Sequence, residues 1–432
     1  MLIAASLLFY SAGSLVHLPL LLAVVAVNYL AGLLFQRQVR QKREVLILAL
    51  ILNLGALVVF KYLDFFTGSI NNLFGLSLPL AGLALPIGIS FFTFQGMSYT
   101  LDVYRDGEVG TRSFWELLLY ISFFPQLIAG PIVKYHDVAQ QIRQRSASIE
   151  DMAAGCRRFI VGLSKKLLLA DLLAVAVDAI YANSALCDAR LSLIGGLCYA
   201  MQIYFDFSGY SDMAIGMGRM FGFHFLENFD HPYTASTIQE FWRRWHVSLS
   251  SWFREYLYIP LGGNRKGLAR TCRNILIVFF LTGLWHGASW TFVLWGLWHG
   301  LWSVVERVTP LKKLSGTVFG HIYTLLIVVL GFMLFRADGI AQAVSMIGSL
   351  FTGWGASREA TLLLREVLTW KVVAAAAVGI LLSTGLQRRL TAWAEQKRSL
   401  QTAAYIGVLA LFALCMLRLA AASFNPFIYF RF

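Results

Sequence analysis

Charge is what this sequence has little of. Only 14% of its 432 residues are Asp, Glu, Lys or Arg, whereas 58% are hydrophobic, and the mean hydropathy is +0.65. Soluble domains stand near half apolar and a quarter charged, so an ordinary soluble globule is excluded. The net charge is +13, but no soluble domain exists to present a basic face, and nucleic acid is not an expected partner. Cysteine is sparse: Cys156, Cys187, Cys198, Cys272 and Cys415 form no CxxC pair. That argues against a disulfide framework and against a zinc site, and no metal is expected. No long polar stretch and no Ser/Pro-rich linker interrupts the chain, so residues 1–432 read as a single domain. A charged n-region is missing from the start, "MLIAASLLFYSAGS", so no cleavable signal peptide is apparent. The apolar part of that start, about eleven residues, is too short to span a bilayer. Either it lies at the membrane interface or a further helix precedes it.

What the chain does have is long apolar runs. "LPLLLAVVAVNYLAGLLF" (18–35), "VLILALILNLGALVVF" (45–60), "HIYTLLIVVLGFMLF" (321–335), "VVAAAAVGILLSTGL" (372–386) and "AAYIGVLALFALCMLRLAAA" (403–422) approach the roughly 20 residues of a spanning helix. A membrane β-barrel would alternate instead over ten-residue strands. The fold class expected is an all-α polytopic membrane protein with about ten to eleven hydrophobic segments. Two of these, "LPIGISFFTFQGMSYTLDVY" (85–104) and "FFPQLIAGPIVKY" (123–135), carry Pro and Gly inside apolar runs. Such segments break or re-enter where protein or a cavity surrounds them. Lys and Arg gather at 37–43, 156–166, 264–273 and 387–398, and the positive-inside rule makes these loops cytoplasmic. For 37–43 and 387–398, setting topology is reason enough for the charge. The tail "SFNPFIYFRF" (423–432) lies one span beyond a cytoplasmic loop, hence on the outer face.

Against this background "FWRRWHVSLSSWFREYLYIPLGGNRKG" (241–267) is unusual. It carries four arginines, a lysine, a glutamate and a histidine among aromatics. On one helix Phe241, Trp242, Trp245, Leu249, Trp252, Phe253, Tyr256 and Leu257 form a stripe, with Arg244, Ser248, Ser251 and Glu255 opposite. That pattern predicts an amphipathic helix lying along the membrane. His246 falls inside the apolar stripe. It is either a satisfied core histidine or a polar group aimed at the protein interior. "IPLGGNRKG" then breaks the helix and returns the chain to the cytoplasmic side.

The pentapeptide GLWHG occurs twice, at 283–287 and 296–300. Each copy is a GxxxG, and helix packing accounts for the glycines. It does not account for two histidines at membrane depth, where ionisable groups are costly and point to function. On one continuous helix His286 and His299, 13 residues apart, would be separated by about 20 Å and about 220°, so a shared metal is not expected. One of them suits a lone base held neutral by burial. In "QIYFDFSGYSDMAIGMGRMFGF" (202–223), Asp206 with Tyr210 and Ser208 with Asp212 are i,i+4 pairs. A structural polar network explains them. A Ser/His/Asp triad is the alternative, but no nucleophile-elbow motif supports it.

Taken in order, six stretches carry a resemblance: 85–105, 123–135, "GLSKKLLLAD" (162–171), "QIYFDFSGYSDMAIG" (202–216), 241–267 and "GLWHGASWTFVLWGLWHG" (283–300). Together they resemble the membrane-bound O-acyltransferase family, and within it the bacterial branch that includes the membrane subunit for alginate O-acetylation. The D-alanyl transfer protein of teichoic acids is a more distant relative. The likeness is strong over roughly 15–310 and takes in the terminal "PFIYFRF".

The resemblance implies an all-helical bundle around a transmembrane tunnel with an invariant histidine deep inside. His286 matches that histidine. His246 matches a second polar position, Asn or Asp in eukaryotic members and His in this branch. His299 matches no known chemical role. Relatives carry a further helix ahead of "LLFY". On this likeness Arg254, Arg265 and Lys266 stand where the phosphates of coenzyme A would dock, guanidinium forks being suited to phosphate oxygens. No cofactor is held permanently; acetyl-coenzyme A is the donor substrate. The function expected is an O-acetyltransferase subunit of the bacterial inner membrane. It would pass an acetyl group across the membrane for O-acetylation of an exopolysaccharide or cell-wall glycan. A periplasmic acetyltransferase or esterase-like partner and a polysaccharide synthase complex are the implied partners, alongside membrane lipid. The alternatives are D-alanyl-type transfer from an acyl carrier protein and, outside enzymes, an export scaffold or transporter. Transporters tend to show inverted repeats with paired broken helices, and the only repeat found is GLWHG.

Overall fold

A helix that is apolar on every side needs protein or lipid around all of it, and the computed structural model of this chain contains several such helices beside amphipathic ones. The structure describes residues 1–128, 130–386, 393 and 398–421, and among them there is no β-strand. In chain order the helices begin with α1 (Leu2–Ser14), α2 (Leu18–Gln36), α3 (Lys42–Leu57), α4 (Leu63–Phe74), α5 (Ile89–Arg105), α6 (Phe114–Ser122) and α7 (Phe124–Leu127). Then come α8 (Tyr135–Arg143), α9 (Ile149–Ser164), α10 (Asp171–Ala182), α11 (Ala189–Met220), α12 (Ile238–Arg244), α13 (Val247–Phe253) and α14 (Leu268–His286). The rest are α15 (Trp290–Val308), α16 (Val318–Arg336), α17 (Ile340–Thr352), α18 (Arg358–Val367), α19 (Trp370–Leu382) and α20 (Arg398–Ala421).

Among the described residues five stretches are long and apolar enough to cross a bilayer: Leu2–Gln36, Lys42–Phe74, α14, α16 and Ser399–Ala421 within α20. The run at 372–386 falls short of expectation. Its helix, α19, has 13 residues, about 20 Å of rise against a hydrocarbon core of about 30 Å. Segment 85–104 also differs in detail. The expected break lies ahead of the helix, at Pro86–Gly88, and α5 then runs unbroken with every residue from Ile89 to Thr100 buried. Gly88 has φ +73°, and a Cβ there would stand 2.6 Å from the Leu127 carbonyl oxygen. Glycine is therefore required by both conformation and contact. Segment 123–135 is broken as expected, with four helical residues in α7 and non-helical chain over residues 130–134 before α8. The basic segment 387–398, Trp393 and Arg398 excepted, and the tail 423–432 lie outside the described residues.

Contacts sort the chain into two compact units, each assembled from three stretches. The first comprises Met1–Cys156, Ala214–Glu227 and Ser251–Pro260. In it the second half of the aromatic stripe is held by α5. Trp252 stacks on Phe94 at 3.9 Å between ring centroids and donates its indole N–H to the Phe94 carbonyl at 3.1 Å. Asp102 accepts from the Tyr256 hydroxyl at 2.8 Å and meets His136 Nδ1 at 2.9 Å. Glu255 pairs with the buried Lys134 at 2.7 Å, and Arg105 donates to the Glu255 carbonyl at 2.9 Å.

The second unit comprises Arg157–Met213, Asn228–Ser250 and Leu261–Phe432. Its core is aromatic and aliphatic, drawn from α10, α11, α12, α15 and α16. Here the acids of α11 pair across to the basic stretch that follows Cys156. Lys166 lies 2.6 Å from Asp206 and 2.9 Å from Asp171, while Asp212 takes Lys165 at 2.6 Å and Arg158 at 2.8 Å. The cations of residues 158–166 therefore hold α11 in addition to any part they take in orientation.

One of these contacts titrates. The hydrogen bond to Asp102, followed by that to Asp137, pushes the His136 imidazole up to about 10. A raised base stabilises the fold fully below its unfolded value near 6.5, and that stabilisation is lost as pH rises through the folded value. His136 is exposed, so screening keeps the effect small. The thermal midpoint of the purified protein in detergent is expected to decline more between pH 7 and 10 than that of His136→Gln. Parallel curves would show that the pair contributes nothing.

Candidate active site

The two GLWHG copies face each other. The chain breaks at Gly287–Ser289, so α14 and α15 form a helical hairpin instead of the one continuous helix expected from the unbroken apolar run. Ser289 caps the second helix through the Thr291 N–H. A Cβ on Gly296 would stand 3.0 Å from the Cα of Gly283 and 2.3 Å from the Phe279 carbonyl oxygen. Only glycine in both copies lets the backbones meet, which is the GxxxG reading realised within one chain.

This break corrects the separation expected for the histidines. His286 is the last residue of α14, and His299 stands mid-way along α15. Both rings pack on Trp295, at 5.0 Å and 5.3 Å between centroids. His286 is buried, 4% exposed, and walled by Trp285, Trp295 and Phe335 at 5.0–5.4 Å. His299 is fully buried among Phe241, Trp242, Phe279 and Trp295.

The continuous amphipathic helix is corrected too. α12 and α13 are separate seven-residue helices, and between them His246 adopts φ +46°. That left-handed conformation costs a non-glycine residue roughly 1–3 kcal/mol, and such outliers gather at functional sites. The stripe from Phe241 to Tyr256 is buried in protein, so it does not face lipid. The hinge is held from residue 228. Val247 N–H donates to the Asn228 carbonyl at 2.9 Å, and Ser248 N–H to Asn228 Oδ1 at 3.2 Å. The same Oδ1 meets His246 Nδ1 at 3.2 Å.

The hinge turns the His246 ring inward. It is 0% exposed, lies against Phe207 at 4.6 Å, and stands 6.2 Å from His286 between ring centroids. Burial pushes this imidazole down to about 3, so it is neutral at ordinary pH. The structure thus brings His246 and His286 together among buried aromatic side chains, with His299 beyond Trp295. Two adjacent imidazoles there offer a proton acceptor and a second hydrogen-bonding group to a reaction shielded from water.

Arg254 belongs to the first unit, and Arg265 and Lys266 to the second; all three side chains are exposed. Arg265 and Lys266 sit in a turn whose carbonyls at Leu261 and Gly263 accept from Asn274 at 3.3 and 3.0 Å.

The sequence profile of the membrane-bound O-acyltransferase family matches residues 3–335. A probable alginate O-acetylase AlgI of Azotobacter vinelandii is 38% identical over 100% of this chain and 94% of its own length. The chain belongs to the membrane-bound O-acyltransferase family. A probable AlgI of Pseudomonas putida is 40% identical with the same coverage. A peptidoglycan O-acetyltransferase of Helicobacter pylori is 35% identical over 80% of this chain and 72% of its own. The protein is accordingly an acyltransferase and a multi-pass membrane protein.

Family motifs pointed to His246 and His286 but not to what holds them. Asn228 and Ser248 build the hinge, and Glu306 anchors α12. The buried Glu306 carboxylate, reaching from α15, accepts from the N–H groups of Ile238 at 2.6 Å and Gln239 at 3.2 Å. Those are donors that a helix start leaves unpaired. In the sequence Glu306 is a charged residue beside Arg307 near the end of an apolar helix, with nothing local to name its partner. Its removal strands the buried Ile238 N–H, at about 1–3 kcal/mol, and takes a partner from the less buried Gln239 N–H. Glu306→Ala is expected to lower the thermal midpoint in detergent and to reduce activity by loosening α12. Glu306→Gln, which keeps an acceptor oxygen, is expected to recover most of the midpoint. Equal loss in both would mean that the charge, rather than the cap, matters.

Proposed function

We propose that this chain is the inner-membrane O-acetyltransferase subunit that takes an acetyl group from acetyl-coenzyme A on the cytoplasmic side. It passes that group across the membrane for O-acetylation of an exopolysaccharide or cell-wall glycan. The observation that carries the reading is the pair of buried histidine rings 6.2 Å apart, in a chain similar along its whole length to alginate O-acetylases. Five crossings of the chain between its two units support treating it as one domain, since no single cut frees either.

In this reading His286 takes the proton of the acceptor hydroxyl. The oxygen attacks the thioester carbonyl, the C–S bond breaks, and the leaving thiolate recovers the proton from His286. An ester and a free thiol result, with no net proton change. The charge that His286 carries in between sits at the C-terminal end of α14, where the helix dipole favours a cation. Arg265 and Lys266 hold the donor's phosphates, and Arg254, in the other unit, is assigned to the donor on the family likeness alone. A hydrolase-like periplasmic acetyltransferase and a polysaccharide synthase complex receive the product.

His286→Ala is expected to abolish glycan acetylation at unchanged protein abundance in the membrane, and His299→Ala to do less. Full acetylation in His286→Ala would refute the assignment, and reversed phenotypes would move the base to His299.

The donor is tested by titrating purified protein in neutral detergent with acetyl-coenzyme A and with its dephospho form, which lacks the 3′-phosphate. A charge-assisted phosphate contact is worth about 1.5–3 kcal/mol, so Arg265→Ala/Lys266→Ala is expected to weaken binding roughly a hundredfold or more. That loss should appear in KM with little change in kcat. Equal binding of both donors, untouched by the substitutions, would leave these charges as lipid anchors.

A further inference from the structure

Only one ring nitrogen of His246 is engaged. Nδ1 lies 3.2 Å from Asn228 Oδ1, while Nε2 makes no hydrogen bond among the described residues. Where a neutral imidazole keeps its proton follows from the partners it meets, and here the partner's identity is fixed independently. The Ser248 backbone N–H, which can only donate, points at Asn228 Oδ1 from 3.2 Å, and the Ser248 hydroxyl lies 2.9 Å from the same oxygen. On the other side of the amide, Asn228 Nδ2 donates to Ser211 Oγ at 3.0 Å. Flipping the amide would set its N–H groups against the Ser248 N–H.

Asn228 Oδ1 therefore only accepts, and Nδ1 of His246 is the donor. Ser248 Oγ also lies 3.4 Å from Nδ1; its own hydrogen goes to Asn228, so it offers Nδ1 a lone pair, in agreement. We infer that Asn228 is a positioning residue of the active site, locking His246 in the Nδ1–H tautomer and leaving Nε2 as a bare hydrogen-bond acceptor. This rests on the reading that places His246 at the site of acyl transfer.

The consequence is a division of labour. A bare Nε2 accepts from a hydroxyl but gives nothing to a carbonyl oxygen. His246 therefore orients the incoming alcohol through its O–H, which turns to His286 for the proton to leave, and does not stabilise the oxyanion that forms on the thioester, which needs donors. The ring stays neutral because it is fully buried, and the titratable side chain packed against it is that of His286. Asn228 serves the backbone as well, since its carbonyl takes the Val247 N–H beside the left-handed His246.

The test reads the tautomer directly. The full chain, labelled with ¹⁵N-histidine and reconstituted in lipid bilayers, is examined by solid-state NMR, and His246 is identified as the signal lost in His246→Gln. At neutral pH the wild type should show a protonated Nδ1 and a bare Nε2. Asn228→Ala should move population to the Nε2–H form and lower kcat on the order of 10–100-fold, the usual cost of losing a group that orients a functional histidine, with KM little changed. Should Asn228→Ala fold poorly, Asn228→Asp keeps every acceptor contact, and its negative carboxylate should favour the ring protonated on both nitrogens at a pH where the wild type is neutral. An Nε2–H ring in the wild type, or a tautomer unmoved by Asn228→Ala, overturns the inference. If the tautomer is as stated but His246→Ala retains full acetylation, the active-site reading has failed and the tautomer assignment has not.

Discussion

In a chain this apolar, a polar group that leaves water must find its partner inside the protein, because an unpartnered one costs several kcal/mol. That constraint accounts for several buried polar groups in each unit. The donors opening α12 go to Glu306, and the N–H groups after the His246 hinge go to Asn228. The acids of α11 go to Lys165, Lys166 and Arg158. In the first unit Asp102 gathers Tyr256 and His136. Each partner comes from a distant part of the sequence, so satisfying a local group also fixes a tertiary contact.

The same constraint explains what the sequence revealed and what it hid. Helix content and the apolar spans were legible because composition and run length report them directly. The hairpin between α14 and α15 was half legible. Ser289 before Trp290 is a helix-start signal, but it sits in a run apolar enough to read as one helix. The hinge at His246 was not legible at all. No glycine or proline lies between Phe241 and Tyr258, so nothing local marks a break. The break exists because Asn228, eighteen residues upstream, supplies acceptors that make it tolerable.

The site follows the same division. His286 stood out because a histidine at membrane depth is expensive wherever it occurs, and His246 because it interrupts an apolar stripe. Arg254, Arg265 and Lys266 stood out through charge, and they remain exposed. Asn228 and Glu306 carry no pattern of their own; their meaning is relational and appears only once the chain is folded. Sequence reasoning thus reaches groups whose cost is intrinsic and misses groups whose value lies in a partner.

Two histidines of one chemical type end in different states for the same reason. His246 lies in a turn between two short helices, within reach of an amide whose oxygen is fixed by a backbone donor. His286 closes a nineteen-residue helix amid indoles and a phenyl ring, where the helix end favours positive charge. The first environment fixes where a proton sits on a neutral ring. The second suits a ring that gains a proton and gives it back. Acyl transfer needs both behaviours, an alcohol held in place and a proton moved, and one imidazole in one environment does not supply them together. Setting the rings 6.2 Å apart on separately anchored segments lets each keep its own surroundings while remaining near the other.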